Sequence, residues 1–187
     1  MVGPMPLSRL LACFTALGFV ASGQGAERVS IAAASDLVFC LETLHVEFAK
    51  TEPATVIQVA TGSSGNFHAQ IRNGAPYDVF LSADLRYPRA LIEAGAADEQ
   101  SLTLYAIGRI VIWTLRPDLD LANLASIVRS PLVRRFAIAN PEHAPYGLAA
   151  RQALEASGLW TEVRPRLVLG ENISQAAQFV QTGNADT

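Results

Sequence analysis

Short apolar runs alternate along the chain with longer stretches in which apolar residues recur every third or fourth position. Runs of three to five mostly apolar residues are typical of buried strands. The helical spacing is clearest at Leu37, Leu41, Leu44 and Phe48, which lie on one face of a predicted helix. The predicted strands are 29–33, 56–60, 78–81, 136–139 and 167–169.

Each of these five predicted strands leads through a polar or glycine-containing turn into a predicted helix. Three of these helices end at a glycine, the residue that helix C-termini favour, at Gly74, Gly95 and Gly158. The last predicted helix runs from about residue 173 to 182. Strands that alternate with helices predict an α/β fold with parallel-rich sheets and flanking helices, which binds ligands beyond the carboxyl ends of its strands.

One stretch departs from this alternation. Residues 104–115 form a long strand-like apolar run that only Gly108 and Arg109 interrupt. We place a boundary near Ala106 and predict two lobes with a cleft between them, a first lobe over residues 27–105 and a second over residues 106–187.

The first 26 residues are typical of an export signal rather than of a folded element. Arg9 is their only charge, and the mostly apolar residues 10–21 are too few to span a bilayer comfortably. Small residues at 21–23 and at 24–26 provide two possible cleavage sites. Cleavage leaves Cys40 as the only thiol, so no internal disulfide is expected, and we predict that Cys40 is a small core residue.

The composition narrows the function classes. Half of the residues are hydrophobic and 17% are charged, which excludes a disordered tail, a coiled coil and a collagen-like repeat. The 14 basic and 17 acidic residues give a formal net charge of −3, or −4 without Arg9, and no basic run occurs. These features argue against a nucleic-acid partner.

No enzyme motif is complete. The segment Gly62-Ser63-Ser64-Gly65-Asn66 has its second glycine one place too early for a hydrolase nucleophile elbow and lacks the lysine of a phosphate-binding P-loop. The three histidines are spaced like no known metal motif. An exported hydrolase that uses Ser64 remains an alternative, although the sequence favours a protein that is not an enzyme.

Serines recur at the predicted strand-to-helix turns. Ser35 follows the first strand, and Ser63 and Ser64 follow the second. A helix that begins at such a turn has unpaired N–H groups and a dipole that favours an anion. The same serines could instead serve only as helix N-caps, and the residues alone leave both interpretations open.

Four motifs, in order and with matching spacing, resemble the periplasmic molybdate-binding protein family, the substrate-binding components of molybdate ABC importers. The resemblance begins near Arg28 and continues to the last residue. It implies a two-lobed periplasmic-binding-protein fold of type II. The motifs are Ala32-Ala33-Ala34-Ser35, Thr61-Gly62-Ser63-Ser64-Gly65, residues 74–84 (GAPYDVFLSAD) and residues 140–147 (NPEHAPYG).

The resemblance also implies a ligand set for molybdate or tungstate. Ser35 would donate through its hydroxyl and backbone N–H, and Ser64 would be the second ligand, with Ser63 beside it as a further candidate. Tyr146 and Ile173 would each donate a backbone N–H. No catalytic residue, cofactor or direct metal ligand is implied, because the metal is bound as its oxyanion.

The family further implies a periplasmic monomer that delivers its ligand to a membrane permease with an ATPase. The alternatives are a binding protein for sulfate or another small oxyanion, and a sensor module. A site of uncharged donors disfavours hydrogenphosphate, whose own O–H needs an acceptor, by roughly 1–3 kcal/mol. Asp36, one residue from a predicted ligand, must point away from such a site or its carboxylate would weaken the affinity.

The chain ends just after a predicted helix, where the family continues with another strand. We therefore expect the C-terminal part of the fold to be missing from this chain, which would leave both lobes incomplete. On that expectation, the chain as given folds poorly or binds its ligand weakly.

Overall fold

The computed structural model describes residues 27–187, which contain two separate parallel sheets. The predicted export signal, residues 1–26, lies outside the described residues. Among residues 27–187, none of the helices is both long enough and apolar enough to cross a membrane.

The first sheet has three parallel strands in the order β2-β1-β3. The strands are β1 (Glu27–Ala34), β2 (Thr55–Gly62) and β3 (Val79–Leu81). The helices that follow them in the chain are α1 (Val38–Thr51), α2 (Ser64–Arg72) and α3 (Arg86–Glu93). We call these six elements the three-stranded unit. The central strand ends in alanines that are completely or almost completely buried, so its carboxyl end leads directly into the interior.

The second sheet pairs β4 (Phe136–Ala139) with β5 (Leu167–Gly170), again in parallel. Its helices are α4 (Leu124–Arg129), α5 (Pro145–Ala156), α6 (Trp160–Val163) and α7 (Ile173–Gln181). We call these elements the two-stranded unit. Its apolar core consists of Leu119, Ile127, Val128, Val133, Phe136, Ile138, Leu154, Leu159 and Val163.

The elements agree with the apolar pattern of the sequence. All five predicted strands are present, each within a few residues of its predicted bounds, and parallel pairing confirms the α/β class. The helices α4 and α6 were not predicted, because they contain only six and four residues and show no extended apolar spacing.

The prediction of a strand-like conformation for residues 104–115 is wrong. They belong to none of the strands in the described chain, and Leu104, Ile107 and Val111 are largely exposed. A strand needs a neighbour to accept and donate its ladder hydrogen bonds, and no described strand pairs with this segment. The apolar pattern therefore predicted a conformation that requires a partner strand.

The prediction that Cys40 is a core residue is also wrong, since its side chain is exposed. The whole of α1 contains no buried residue, although Phe39, Leu44 and Val46 are apolar and more than half exposed. Apolar helical spacing identifies the face that can be buried. It does not ensure that another described element covers that face.

Candidate functional site

A small cavity lies where the carboxyl ends of strands from both sheets meet. Its volume is about 10 Å³, which is room for about one water molecule. The five residues that the family resemblance implied as ligands all line it, and they come from both units. They are Ser35, Ser63, Ser64, Tyr146 and Ile173.

The three serines at this cavity are buried. Ser35 is 5% exposed, Ser63 is 4% exposed and Ser64 is completely buried. The Ser64 hydroxyl oxygen accepts a hydrogen bond from the backbone N–H of Ala83 at 3.0 Å. The hydroxyl proton of Ser64 is therefore not needed for that bond and can be donated to a ligand.

Ser63 is the N-cap of α2, as the simpler interpretation of these serines predicted. Its hydroxyl accepts a hydrogen bond from the backbone N–H of Asn66 at 3.3 Å. The same hydroxyl lies 3.0 Å from Nδ1 of His143, which belongs to the two-stranded unit.

The first turn of α2 leaves one N–H group for a ligand. Gly65 donates to the carbonyl oxygen of His143 at 2.9 Å, Asn66 donates to the Ser63 hydroxyl, and the next N–H donates to the Ser63 carbonyl oxygen at 3.2 Å. The N–H of Ser64 has no acceptor among the described residues. At a buried helix N-terminus such a group calls for an outside acceptor.

The N-terminus of α7 shows the same arrangement. Gln175 donates to the Asn172 side chain at 3.0 Å, and Ala176 donates to the Asn172 carbonyl oxygen at 3.1 Å. Ser174 donates to the Ser35 hydroxyl in a long contact of 3.5 Å. The N–H of Ile173 is left without an acceptor in residues 27–187.

Helix α5 begins with Pro145, which has no N–H to satisfy. The N–H of Leu148 donates to the Ala144 carbonyl oxygen at 3.0 Å. Between them, the N–H groups of Tyr146 and Gly147 find no acceptor within the described chain. Three helix N-termini therefore converge on the cavity with free donors, and their dipoles favour negative charge there.

The two units meet closely around this cavity. The Ser174 hydroxyl donates to the Ser35 carbonyl oxygen at 2.9 Å. A Cβ atom at Gly65 would lie 2.5 Å from the carbonyl oxygen of His143, so a larger residue there would push the units apart. Glycine at position 65 therefore permits the close approach.

Asp36 lines the cavity, but its carboxylate has a partner. Its Oδ2 atom accepts a hydrogen bond from the Tyr146 hydroxyl at 2.9 Å, across the two units. Burial of the phenol and this hydrogen bond raise the pKa of Tyr146 to about 12. The tyrosine thus stays protonated at neutral pH and holds the carboxylate by its own hydroxyl.

The cavity contains no cation to balance a bound anion. Neither lysine nor arginine is among the described residues that line it. A larger cleft of about 860 Å³ lies between β3, α3 and residues 101–108, and its walls are mostly apolar. Because the free helix donors converge on the small cavity and not on the larger cleft, the small cavity is the better candidate site.

Comparison with known proteins agrees with this geometry. The family model for bacterial extracellular solute-binding proteins matches residues 29–187. The chain belongs to that family. The predicted resemblance to periplasmic molybdate-binding proteins is confirmed by the relatives of this solute-binding protein.

Several sequence relatives carry the name molybdate-binding protein ModA, and two of them are more than one-third identical to this chain. The protein from Azotobacter vinelandii is 37% identical over 180 residues, which cover 96% of this chain and 70% of the relative. The protein from Rhodobacter capsulatus is 40% identical over 129 residues, which cover 69% of this chain and 50% of the relative.

Solved structures confirm the two-lobed periplasmic-binding-protein fold. The periplasmic molybdate-binding protein of Azotobacter vinelandii matches with a TM-score of 0.79 and 38% identity over 84% of this chain and 68% of that one. The substrate-binding domain of a putative molybdenum ABC transporter from Clostridium difficile, at 22% identity and a TM-score of 0.50, shares the fold.

A hydrolase built on Ser64 is not supported for this solute-binding protein. The Ser64 oxygen accepts a hydrogen bond from a backbone N–H, and no histidine in the described residues is hydrogen-bonded to it. A serine nucleophile needs a base within hydrogen-bond reach.

Three residues at the site escaped sequence reasoning. His143 touches Ser63, the Ser174 hydroxyl binds the Ser35 carbonyl oxygen, and the Ala83 N–H binds Ser64. His143 and Ala83 both lie inside motifs that the resemblance singled out, and Ser174 follows Ile173 directly. The motifs identified the segments that contain these residues. The contacts of the three residues depend on how two distant parts of the chain meet.

The contact between Asp36 and Tyr146 can be tested by titration. We expect Asp36→Asn to lower the pKa of Tyr146 from about 12 while leaving it above the ordinary 10.0, because burial, the largest cause, is retained. Nuclear magnetic resonance of ring-labelled tyrosine measures this value, and Tyr146→Phe identifies the signal.

The raised pKa of Tyr146 also makes the free energy of unfolding depend on pH. The unfolded chain releases the Tyr146 proton first, so the free energy of unfolding falls as the pH rises from about 10 towards about 12. This loss should be smaller in Asp36→Asn. A Tyr146 pKa that is unchanged in the variant contradicts the contact.

Proposed function

We propose that the chain binds molybdate, and tungstate as a close analogue, in the small cavity between its two units. The observation that carries this proposal is the convergence of free backbone N–H groups from three helices with buried serine hydroxyls, without any cation among the lining residues. Such a site recognises a fully deprotonated oxyanion by its acceptors.

The proposed ligand set is drawn from the donors of the residues that line the cavity. Ser35 and Ser64 donate through their hydroxyls, and Tyr146 and Ile173 donate through their backbone N–H groups. Backbone donation explains how a tyrosine and an isoleucine can occupy ligand positions, since their side chains need not touch the anion. Ser63 is a further candidate because its hydroxyl also lines the cavity.

The donor set accounts for selectivity against hydrogenphosphate. The O–H of that anion needs an acceptor, and leaving a buried hydrogen bond unmade costs roughly 1–3 kcal/mol. The cavity holds about one water molecule as it stands. A tetrahedral oxyanion therefore requires the two units to separate slightly, and the few hydrogen bonds between them allow that movement.

We also propose the division into lobes over residues 27–105 and 106–187, with the anion held between them. The three-stranded sheet lies wholly before residue 106 and the two-stranded sheet wholly after it, which supports this boundary. The protein would act as a periplasmic monomer and deliver its ligand to the permease and ATPase of an ABC importer. The names of its relatives support the location and the ligand.

The export proposal makes a direct prediction. Residues 1–26 are expected to be removed on export, so N-terminal sequencing of the protein from the periplasm should find a start after residue 23 or after residue 26. A periplasmic protein that retains Met1 would contradict it.

The ligand proposal is tested by thermal unfolding with molybdate, tungstate, sulfate and phosphate. At a hundred times its dissociation constant a ligand adds about 2.7 kcal/mol to the free energy of unfolding, which raises the melting temperature by several degrees. We expect this shift with molybdate and tungstate, and little with sulfate or phosphate.

The variant Ser64→Ala should weaken molybdate binding by roughly tenfold or more, because one buried donor to a charged ligand is lost. Ser157→Ala is the matched control, since Ser157 is exposed at the end of α5, remote in sequence from every cavity residue. A stronger shift with sulfate identifies a sulfate-binding protein instead. Equal affinities in Ser64→Ala and the unsubstituted protein contradict the proposed ligand set.

A further inference from the structure

His143 lies between a residue of the proposed anion site and an acidic side chain. Its Nδ1 atom is 3.0 Å from the Ser63 hydroxyl oxygen, and its Nε2 atom is 3.5 Å from a carboxylate oxygen of Glu171. Its backbone is fixed as well, because the carbonyl oxygen accepts from the Gly65 N–H at 2.9 Å. The imidazole thus connects α2 of one unit to the β5–α7 turn of the other.

The Ser63 hydroxyl has one proton and two lone pairs to distribute. The Asn66 N–H already occupies one lone pair. If Nδ1 of His143 carries a proton, it occupies the second lone pair, and the hydroxyl proton must point elsewhere, towards the cavity that Ser63 lines. If Nδ1 carries none, the hydroxyl donates its proton to Nδ1 and has none for an anion.

The nearby carboxylate of Glu171 favours one of these two arrangements in a neutral imidazole. A neutral ring has one N–H, and a carboxylate is a pure acceptor, so Glu171 favours the proton on Nε2. Nδ1 is then an acceptor and takes the Ser63 proton. A protonated ring carries both N–H groups and reverses the direction of the Ser63 bond.

We propose that His143 is a positioning residue whose protonation turns the Ser63 hydroxyl towards the oxyanion, so that anion binding takes up one proton. This inference rests on the proposed function. Because the bound state favours the charged imidazole, affinity rises as the pH falls.

Among the described residues, Glu171 is the charged group that contacts the imidazole ring of His143. From α2 the ring meets the Ser63 hydroxyl, and the Tyr87 hydroxyl of α3 borders the adjacent Gly65 with its pKa raised by burial, so it is uncharged. The neighbouring Glu142 faces Arg151 at 3.8 Å.

The order of hydroxyl, imidazole and carboxylate does not make a hydrolytic triad here. Ser63 is 4% exposed and its oxygen caps α2, so it is not presented to a substrate as a nucleophile. The contact of Nε2 with Glu171 is also long, at 3.5 Å. The geometry suits orientation of a donor.

The test is the dissociation constant of molybdate, measured by calorimetry on the purified chain at about pH 8 and about pH 6. We expect about tenfold tighter binding at the lower pH, which is within the limit of about tenfold for each pH unit that the uptake of one proton sets. His143→Asn should flatten this dependence. His45→Asn is the matched control, because His45 is exposed on α1, and it should keep the full dependence.

Ser63→Ala separates the hydroxyl mechanism from simple attraction by a charged imidazole. The variant retains His143 and its charge, so attraction alone would leave the pH dependence intact. We expect most of the dependence to disappear with the hydroxyl. A flat profile in the unsubstituted protein, or a full profile in Ser63→Ala, overturns the inference, whereas failure to bind molybdate at either pH overturns the proposed function and with it this inference.

A second measurement needs no ligand. Nitrogen-labelled histidine reports the tautomer of each ring by nuclear magnetic resonance, and His143→Asn assigns the signal. We expect the neutral ring of His143 to carry its proton on Nε2, and Glu171→Gln to increase the fraction with the proton on Nδ1. A neutral His143 ring protonated on Nδ1 overturns the inference even if molybdate binding is pH-dependent.

Discussion

The structure of the site depends on one constraint, which is that the N–H groups at a helix N-terminus need hydrogen-bond acceptors from outside the helix. The first N–H groups of a helix have no partner within it, and burial makes an unpaired group costly. In each of α2 and α7, every first-turn N–H group except one donates to a side chain or a carbonyl oxygen, in some cases one of the opposite unit. The remaining groups, at Ser64 and Ile173, meet Tyr146 of α5 at one cavity, which an oxyanion can satisfy without a cation.

The same requirement shapes the contact between the units. The Gly65 N–H finds its acceptor across the boundary, on His143, and the Ser35 carbonyl oxygen finds a donor there in Ser174. The Asp36 carboxylate would repel an anion, and the Tyr146 hydroxyl gives it a partner in the other unit. The bonds that join the units therefore lie beside the free donors that line the cavity.

Sequence patterns predicted the local part of this arrangement and missed the part that depends on distant contacts. A strand, a serine-containing turn and a helix are encoded within a few neighbouring residues, so the turns at Ser35 and Ser64 were predictable. The unpaired state of residues 104–115 and the exposure of Cys40 depend on which elements cover them. The contact of His143 with Ser63 joins residues 80 positions apart, and no local pattern encodes it.

The most direct test of a site built from uncharged donors is a crystal structure with tungstate, located by its anomalous scattering. We expect one peak in the small cavity, with anion oxygens within hydrogen-bond distance of the Ser35 and Ser64 hydroxyls and of the backbone nitrogens of Tyr146 and Ile173. An anion held instead by arginine side chains at the surface, with the cavity unchanged, would contradict the proposed site.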